Sequence, residues 1–175
     1  MLEIVNITPE FAIGPQISPK DFAVLRRAGF MAIINVRPDG EAGTYVGSDE
    51  AYRLAHAEGL IYAHCPTENH AILEPEVIDQ FERALAKLPK PVFSHCKSGT
   101  RAAILWALVA SRHRDVKDVI TALRAAGQQL DFLEDELHES AKEVRRSPFQ
   151  LRADPLLGPG RTGSLGKDGE EPDNE

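Results

Sequence analysis

Cysteine and methionine each occur only twice in this 175-residue chain, tryptophan once, and aromatic residues make up 6% of it. Two thiols, Cys65 and Cys96, cannot supply a disulfide framework. The opening Met1-Leu2-Glu3-Ile4 lacks a basic stretch followed by an apolar one, so no secretory signal is expected, and reduced thiols in the cytoplasm are the expectation. No apolar run approaches the roughly 20 residues that a membrane span needs. A basic stripe is also lacking. The 20 Lys and Arg are outnumbered by 27 Asp and Glu, for a net charge of -7, which argues against nucleic acid as the main partner. There is no internal repeat. What is present, 42% hydrophobic and 27% charged residues, suits an ordinary globular chain long enough for a sizeable core.

Strand-like and helix-like stretches alternate. Phe11-Ala12-Ile13 reads as a strand ended by Gly14-Pro15, and Ser18-Pro19-Lys20-Asp21 as a helix start with Ser18 as N-cap. That helix carries Phe22 and Leu25 and stops at Gly29. Phe30 to Val36 is apolar enough for a strand buried on both faces. Ser48 is placed as the cap of a second helix ended by Gly59, and Leu60 to Ala63 as another core strand. Pro75 opens a third helix, and Val92 to His95 forms the next strand. Beyond Cys96 only helices are expected: Ala102 to about Ser111, Val116 to Ala126, and Leu130 to about Val144. Trp106 and Phe132 on them are expected as core residues or packing lids. Strands alternating with helices imply right-handed crossovers and an α/β protein with a central, largely parallel sheet flanked by helices. Residues 1–146 are expected to form one domain. From Ser147 the periodicity fails, and the Pro- and Gly-rich, acidic stretch 147–175 is expected to be a disordered tail.

The chemistry concentrates in Ser94-His95-Cys96-Lys97-Ser98-Gly99-Thr100-Arg101. A cysteine between a strand end and a helix start meets free backbone N–H groups and the positive end of a helix dipole. Both favour thiolate, and the same N–H groups cradle an anion bonded to sulfur. Cys96 is therefore the candidate nucleophile and Arg101 its anion clamp. Lys97, Ser98, Gly99 and Thr100 form the anion-binding loop, with backbone roles ahead of chemical ones. Ligands of open α/β sheets bind beyond the carboxyl ends of the strands, where Arg37, the loop from Cys65 to His70 and Cys96 all fall.

Phe11 to Gln16, Leu25 through Phe30, and Ile33 to Arg37 resemble the opening of dual-specificity protein phosphatases, and His95-Cys96 with Gly99 and Arg101 resembles their phosphate-binding loop. The nearer resemblance runs from about Phe11 to Leu137. On Gln16-Ile17-Ser18-Pro19, Asn35-Val36-Arg37-Pro38-Asp39-Gly40-Glu41 and Cys96 to Arg101, the chain resembles the beta-lactamase hydrolase-like, phosphatase-like family, whose members are variously called phosphatases and sulfurtransferases. The resemblance implies a protein tyrosine phosphatase-like fold with an all-helical C-terminal part.

Three departures from the phosphatase pattern bear on the reaction. Tyrosine phosphatases place five residues between cysteine and arginine, whereas four stand here, a length that resembles single-domain rhodaneses. Ala102 follows the arginine where phosphatases usually carry a hydroxyl. The stretch from Cys65 to Leu73 contains no aspartate to serve as general acid, a group worth roughly 10²–10⁴-fold. Glu68 is the only carboxylate there, with His64 and His70 as other candidates. The expected function is thus cysteine-dependent sulfur transfer through a persulfide on Cys96, from thiosulfate or a related sulfane sulfur donor to a thiol acceptor. Phosphomonoester hydrolysis through phosphocysteine is the alternative, and a non-catalytic anion- or phosphopeptide-binding module the third reading.

Among accessory residues, Arg37 is read either as a second positive charge for an anion or as a partner of Asp39 or Glu41 that stiffens its loop. His95 is read as a core histidine bonding the loop backbone ahead of a proton carrier. Cys65 is read as a structural thiol ahead of a resolving one. The histidines and cysteines match no common zinc spacing, so neither a metal nor another cofactor is expected. The partners expected are a small anionic substrate and an acceptor thiol.

Overall fold

The computed structural model describes residues 2–146 except Thr44. Five short strands form one sheet in the order β1-β2-β5-β3-β4. They are β1 (Val5–Thr8), β2 (Phe11–Gly14), β3 (Ala32–Asn35), β4 (Ile61–His64) and β5 (Val92–His95). All neighbours are parallel except the antiparallel hairpin of β1 and β2. The helices are α1 (Asp21–Arg27), α2 (Ser48–Ala57), α3 (Pro75–Lys87), α4 (Thr100–His113), α5 (Val116–Ala125) and α6 (Glu134–Arg146).

Side chains alternate across a strand, so the sheet divides the core in two. On one face Phe11, Ile34 and Val92 meet α3 to α6, with Phe11 stacked on Trp106 at 5.9 Å and edge-on to Phe81 at 6.4 Å. On the other, Ile33 and Phe93 meet Phe22 and Leu25 of α1 and Ala51 and Ala55 of α2. The two faces account for the near-continuous apolar runs of β3 and β5, which lie in the middle of the sheet and are buried throughout. This is the α/β, protein tyrosine phosphatase-like architecture, and beyond β5 the described residues are helical.

Several local expectations are corrected. Val5–Thr8 is a strand that its sequence did not announce; its register shifts between Asn6 and Thr8, and its burial is only partial. The strand placed in the core at Leu60 to Ala63 is the edge strand β4, where Ile61 is 52% exposed. Ser18 is not the N-cap of α1: its N–H and hydroxyl both donate to Asp21 Oδ2, forming a turn before a helix that starts at Asp21. Gly47, not Ser48, precedes α2, because the Ser48 hydroxyl is held by the Asp39 carboxylate. Helix α4 begins at Thr100, two residues before the expected start, and Leu130 stands ahead of a 3₁₀ turn at Asp131–Leu133 rather than inside α6. Phe132 in that turn is 71% exposed and caps no core. The stretch expected as a disordered tail lies outside the described residues.

Strand β2 delivers a glycine where nothing larger fits. A Cβ on Gly14 would lie 2.6 Å from both the Glu3 carbonyl oxygen and Phe93 Cζ. Gly14→Ala is therefore expected to destabilise the fold by about 1–3 kcal/mol through overpacking, read as a lower urea midpoint with an unchanged denaturant slope.

Candidate active site

The site is built where β5, central in the sheet, passes into α4. Cys96 follows the last residue of β5 and is 1% exposed. The chain turns over Lys97 and Ser98 to Gly99, whose φ of 97° is a left-handed conformation that side chains disfavour. The turn brings the Gly99 N–H to 3.1 Å from Cys96 Sγ. A Cβ on Gly99 would also stand 3.3 Å from the Gly14 carbonyl oxygen, so β2 packs directly behind the loop. Lys97 and Ser98 are exposed; Lys97 accepts the Gln16 N–H at 3.3 Å, and the Ser98 and Thr100 hydroxyls lie 3.2 Å apart. The first turn of α4 closes with Ala103 N–H on the Gly99 carbonyl. The N–H groups of Thr100, Arg101 and Ala102 are left without intrahelical acceptors, as at any helix start.

Arg101 lies in that first turn, 7% exposed. Its Nη1 donates to the Thr67 carbonyl at 2.9 Å, and its Nη2 donates to both oxygens of Glu41 at 3.0 and 2.7 Å. Thr67 is itself fixed, since its N–H reaches the Val36 carbonyl and its hydroxyl the Cys65 carbonyl. The rim is thus assembled from three loops: those after β3, β4 and β5.

Arg37 takes the stiffening role rather than that of an open positive charge. Its Nη1 donates to Gln16 Oε1 and its Nη2 to the Ala42 carbonyl, while the guanidinium carbon stands 3.8 Å above the Tyr45 ring. Its Nε lies 3.5 Å from Glu41 Oε1. The preceding Asn35 accepts the Arg37 N–H and donates to the Tyr62 hydroxyl. Asp39 serves elsewhere: hydrogen bonds from Ser48 hold its carboxyl below the usual carboxylate range and tie the loop to α2. Sequence reasoning placed Glu41 only as a partner of Arg37 and missed its bond to Arg101. The one available signal was the i,i+4 spacing of Arg37 and Glu41. Gln16 and Thr67 act through a side-chain oxygen and a backbone carbonyl, which carry no recognisable spacing.

Glu68 is exposed and adjoins the Thr67 carbonyl that anchors Arg101. His64 is tied by Nε2 to the Arg37 carbonyl at 2.9 Å. His70 is exposed in the 3₁₀ turn after Glu68. His95 lies in the core, as its place at the end of an apolar strand suggests. It is fully buried and stacked on Phe93 at 6.3 Å, and the Cys96 backbone is a hydrogen-bonding neighbour of its ring. Burial pushes its pKa down to about 3, an effect that the nearby Cys96 backbone only partly opposes. Burial thus favours the neutral ring, which is no general acid near neutrality. Cys65 is a free, buried thiol whose pKa burial pushes up to about 11. It therefore presents no thiolate to resolve an oxidised Cys96 near neutrality. No cluster of three or more His, Cys, Asp or Glu among the described residues is arranged to hold a metal, and no described helix is long and apolar enough to cross a membrane.

A central strand followed by a cysteine, a short loop and a helix-borne arginine define the class as a cysteine-type, phosphatase-like fold. Solved structures place it there too. A candidate phosphatase of Neisseria meningitidis superposes with a TM-score of 0.68 at 23% identity, over 78% of this chain and 97% of that one. Kinase associated phosphatase superposes with a TM-score of 0.56 at 15% identity, over 84% and 97%. Residues 3–112 match the family described as beta-lactamase hydrolase-like protein, phosphatase-like domain, and the chain belongs to that family. It is 40% identical over 107 residues to a beta-lactamase hydrolase-like protein of Xylella fastidiosa. That match covers 61% of this chain and 25% of the relative, so the chain matches about a quarter of the curated relative's length.

Two expectations test the buried groups. A His95 pKa depressed from about 6.5 to about 3 means that its contribution to stability is complete above pH 6.5 and is lost as pH falls toward 3. Unfolding should take up one extra proton in that window, up to about 1.4 kcal/mol per pH unit. His95→Leu should flatten the fall in urea-unfolding free energy between pH 6.5 and 4. Separately, iodoacetamide at pH 8 should leave Cys65 unmodified in native protein and label it in urea, as read by peptide mass spectrometry.

Proposed function

We propose that the chain is a sulfurtransferase that carries sulfane sulfur on Cys96, using a phosphatase-like fold with a rhodanese-length loop. The supporting observation is the size of the cradle. Helix α4 starts at Thr100, so only Lys97, Ser98 and Gly99 lie between the nucleophile and the first helical turn. Gly99 N–H already points at sulfur. Ala102, wholly buried, offers no hydroxyl to help a thiolate leave a phosphocysteine. His95, the histidine next to the nucleophile, is a neutral core residue.

In this reading the Cys96 thiolate attacks the sulfane sulfur of thiosulfate. A new S–S bond forms to Cys96 while the bond to the sulfonate sulfur breaks, and sulfite departs with that electron pair. Sulfite needs no proton to leave, so the reaction proceeds without a general acid. Arg101 and the N–H groups at the start of α4 hold the sulfonate oxygens through charge-assisted hydrogen bonds. An acceptor thiolate such as glutathione then takes the outer sulfur and restores the Cys96 thiolate.

Phosphomonoester hydrolysis is the second reading, favoured by the fold and by Glu68 at the rim beside the Arg101 anchor. There Cys96 attacks phosphorus, Glu68 or a histidine protonates the leaving oxygen, and water resolves phosphocysteine. Purified protein given thiosulfate and cyanide should form thiocyanate, falling to background in Cys96→Ser. Turnover of an aryl phosphate without thiocyanate would sink the sulfur-transfer reading. Neither activity would favour an anion- or phosphopeptide-binding module.

A further inference from the structure

A cleft of about 530 Å³ adjoins the Cys96 loop and has no part in the steps described so far. We propose that it seats the acceptor thiol, and that the acceptor is an amino-acid or short-peptide thiol carrying two carboxylates and an ammonium, the class to which glutathione belongs. The proposal rests on the sulfur-transfer reading of Cys96, since only that reaction consumes a second thiol.

Topology puts the cleft at the reactive edge of the sheet. Strand β1 runs antiparallel to β2, with Val5 opposite Ile13, so Leu2 and Glu3 come back to the end of β2, where Pro15 and Gln16 leave it. Strand β2 is parallel to β5, so this is the edge from which Cys96 emerges. Gln16 joins cleft to loop: it lines the one, and its N–H donates to the Lys97 carbonyl, next to the nucleophile, at 3.3 Å. A ligand lying along α1 as far as Gln16 thus ends beside the residue that follows Cys96.

The charges of the cleft match this ligand one for one. Lys20, just ahead of α1, and Val24 and Arg27 within it recur at i, i+4 and i+7 along the wall. One face of the helix therefore carries a cation at each end and an apolar contact between them. Phe22 and Leu25 are buried on the core side. Four charged residues line the cleft: Glu3, Lys20, Asp21 and Arg27. Asp21 is engaged by Ser18, whose N–H and hydroxyl both donate to its Oδ2. Glu3, Lys20 and Arg27 are exposed, and their side chains have no hydrogen-bond or ion-pair partner among the described residues. Two free cations and one free carboxylate suit two carboxylates and one ammonium. An uncharged thiol leaves all three unanswered, and a purely anionic one meets Glu3 as a repulsion. The volume lies within the roughly 300–1,000 Å³ of small-molecule sites. In the transfer step the acceptor, its thiol proton lost to solvent, attacks the outer sulfur of the Cys96 persulfide. A sulfur–sulfur bond forms to the acceptor, the bond to Cys96 Sγ breaks, and its electron pair returns to Cys96 as thiolate.

The test compares two acceptors in the full chain during turnover with thiosulfate, read as sulfite release. 2-Mercaptoethanol undergoes the same step without the charges. In Lys20→Ala/Arg27→Ala, kcat/KM for glutathione should fall about tenfold relative to that for 2-mercaptoethanol, the scale of two exposed charge pairs. Glu3→Gln tests the sign: loss of an ammonium partner lowers this ratio about threefold, whereas relief of repulsion from the carboxylates raises it. These are exposed positions, so the variants leave the core intact. S-methylglutathione, which cannot accept sulfur, is titrated at constant ionic strength into the ¹⁵N-labelled chain. It should shift the Gln16 and Val24 amide resonances and bind about tenfold more weakly to the double variant. An unchanged ratio in the double variant, a raised ratio in Glu3→Gln, or silent Gln16 and Val24 resonances overturns the cleft assignment. Failure of the sulfur-transfer reading looks different: wild type then forms no thiocyanate from thiosulfate and cyanide, and the acceptor proposal falls with it.

Discussion

Burying a guanidinium costs several kcal/mol unless its N–H groups find acceptors of good geometry. Arg101 meets this condition with one backbone carbonyl and one carboxylate, each from a different loop. The demand draws the loops after β3 and β4 over the turn after β5 and makes a single site of three separate chain segments. Arg101 sits in the first turn of a helix, where the dipole disfavours a cation. The position is unfavourable for a structural arginine and well placed for one that shares an anion with the N–H groups of that turn.

The sheet order makes the arrangement rigid. Strand β5 runs between β2 and β3 and is buried throughout, so the residue following it emerges from the core. Gly14 at the end of β2 and Gly99 in the loop approach closely because neither carries a Cβ. The consequence is that Cys96 is held in place by the packing around it. The phosphatase-like fold and the short loop are independent features, and the proposed sulfur transfer follows from the second rather than the first.

Long apolar runs made the central strands legible, because burial on both faces leaves little choice of residue. The Cys96 to Arg101 loop was legible too, since its glycine, its basic residue and its position between strand and helix all express local needs. The hairpin strand Val5–Thr8 was not: it is partly solvated and needs only a partner strand, so its composition is undistinguished. Strand β4 was recognised as a strand but misplaced in the core, since apolar content does not distinguish an edge from a centre. His95 was legible as a core histidine, but not how far burial lowers its pKa, which depends on what surrounds the ring.

Legible in the chain alone were the alternation of strands and helices, the cysteine after β5 and the arginine in the first turn of α4, and the length of the loop between them. These follow from periodicity, turn chemistry and counting, all of which act within a few residues. Only the tertiary structure decided what holds the arginine and what Arg37 does. Glu41 and Arg101 stand sixty positions apart, and no local pattern records that a carboxylate in one loop satisfies a buried charge in another. Their meeting is imposed by the packing of β3 beside β5, which brings the ends of distant strands to one rim.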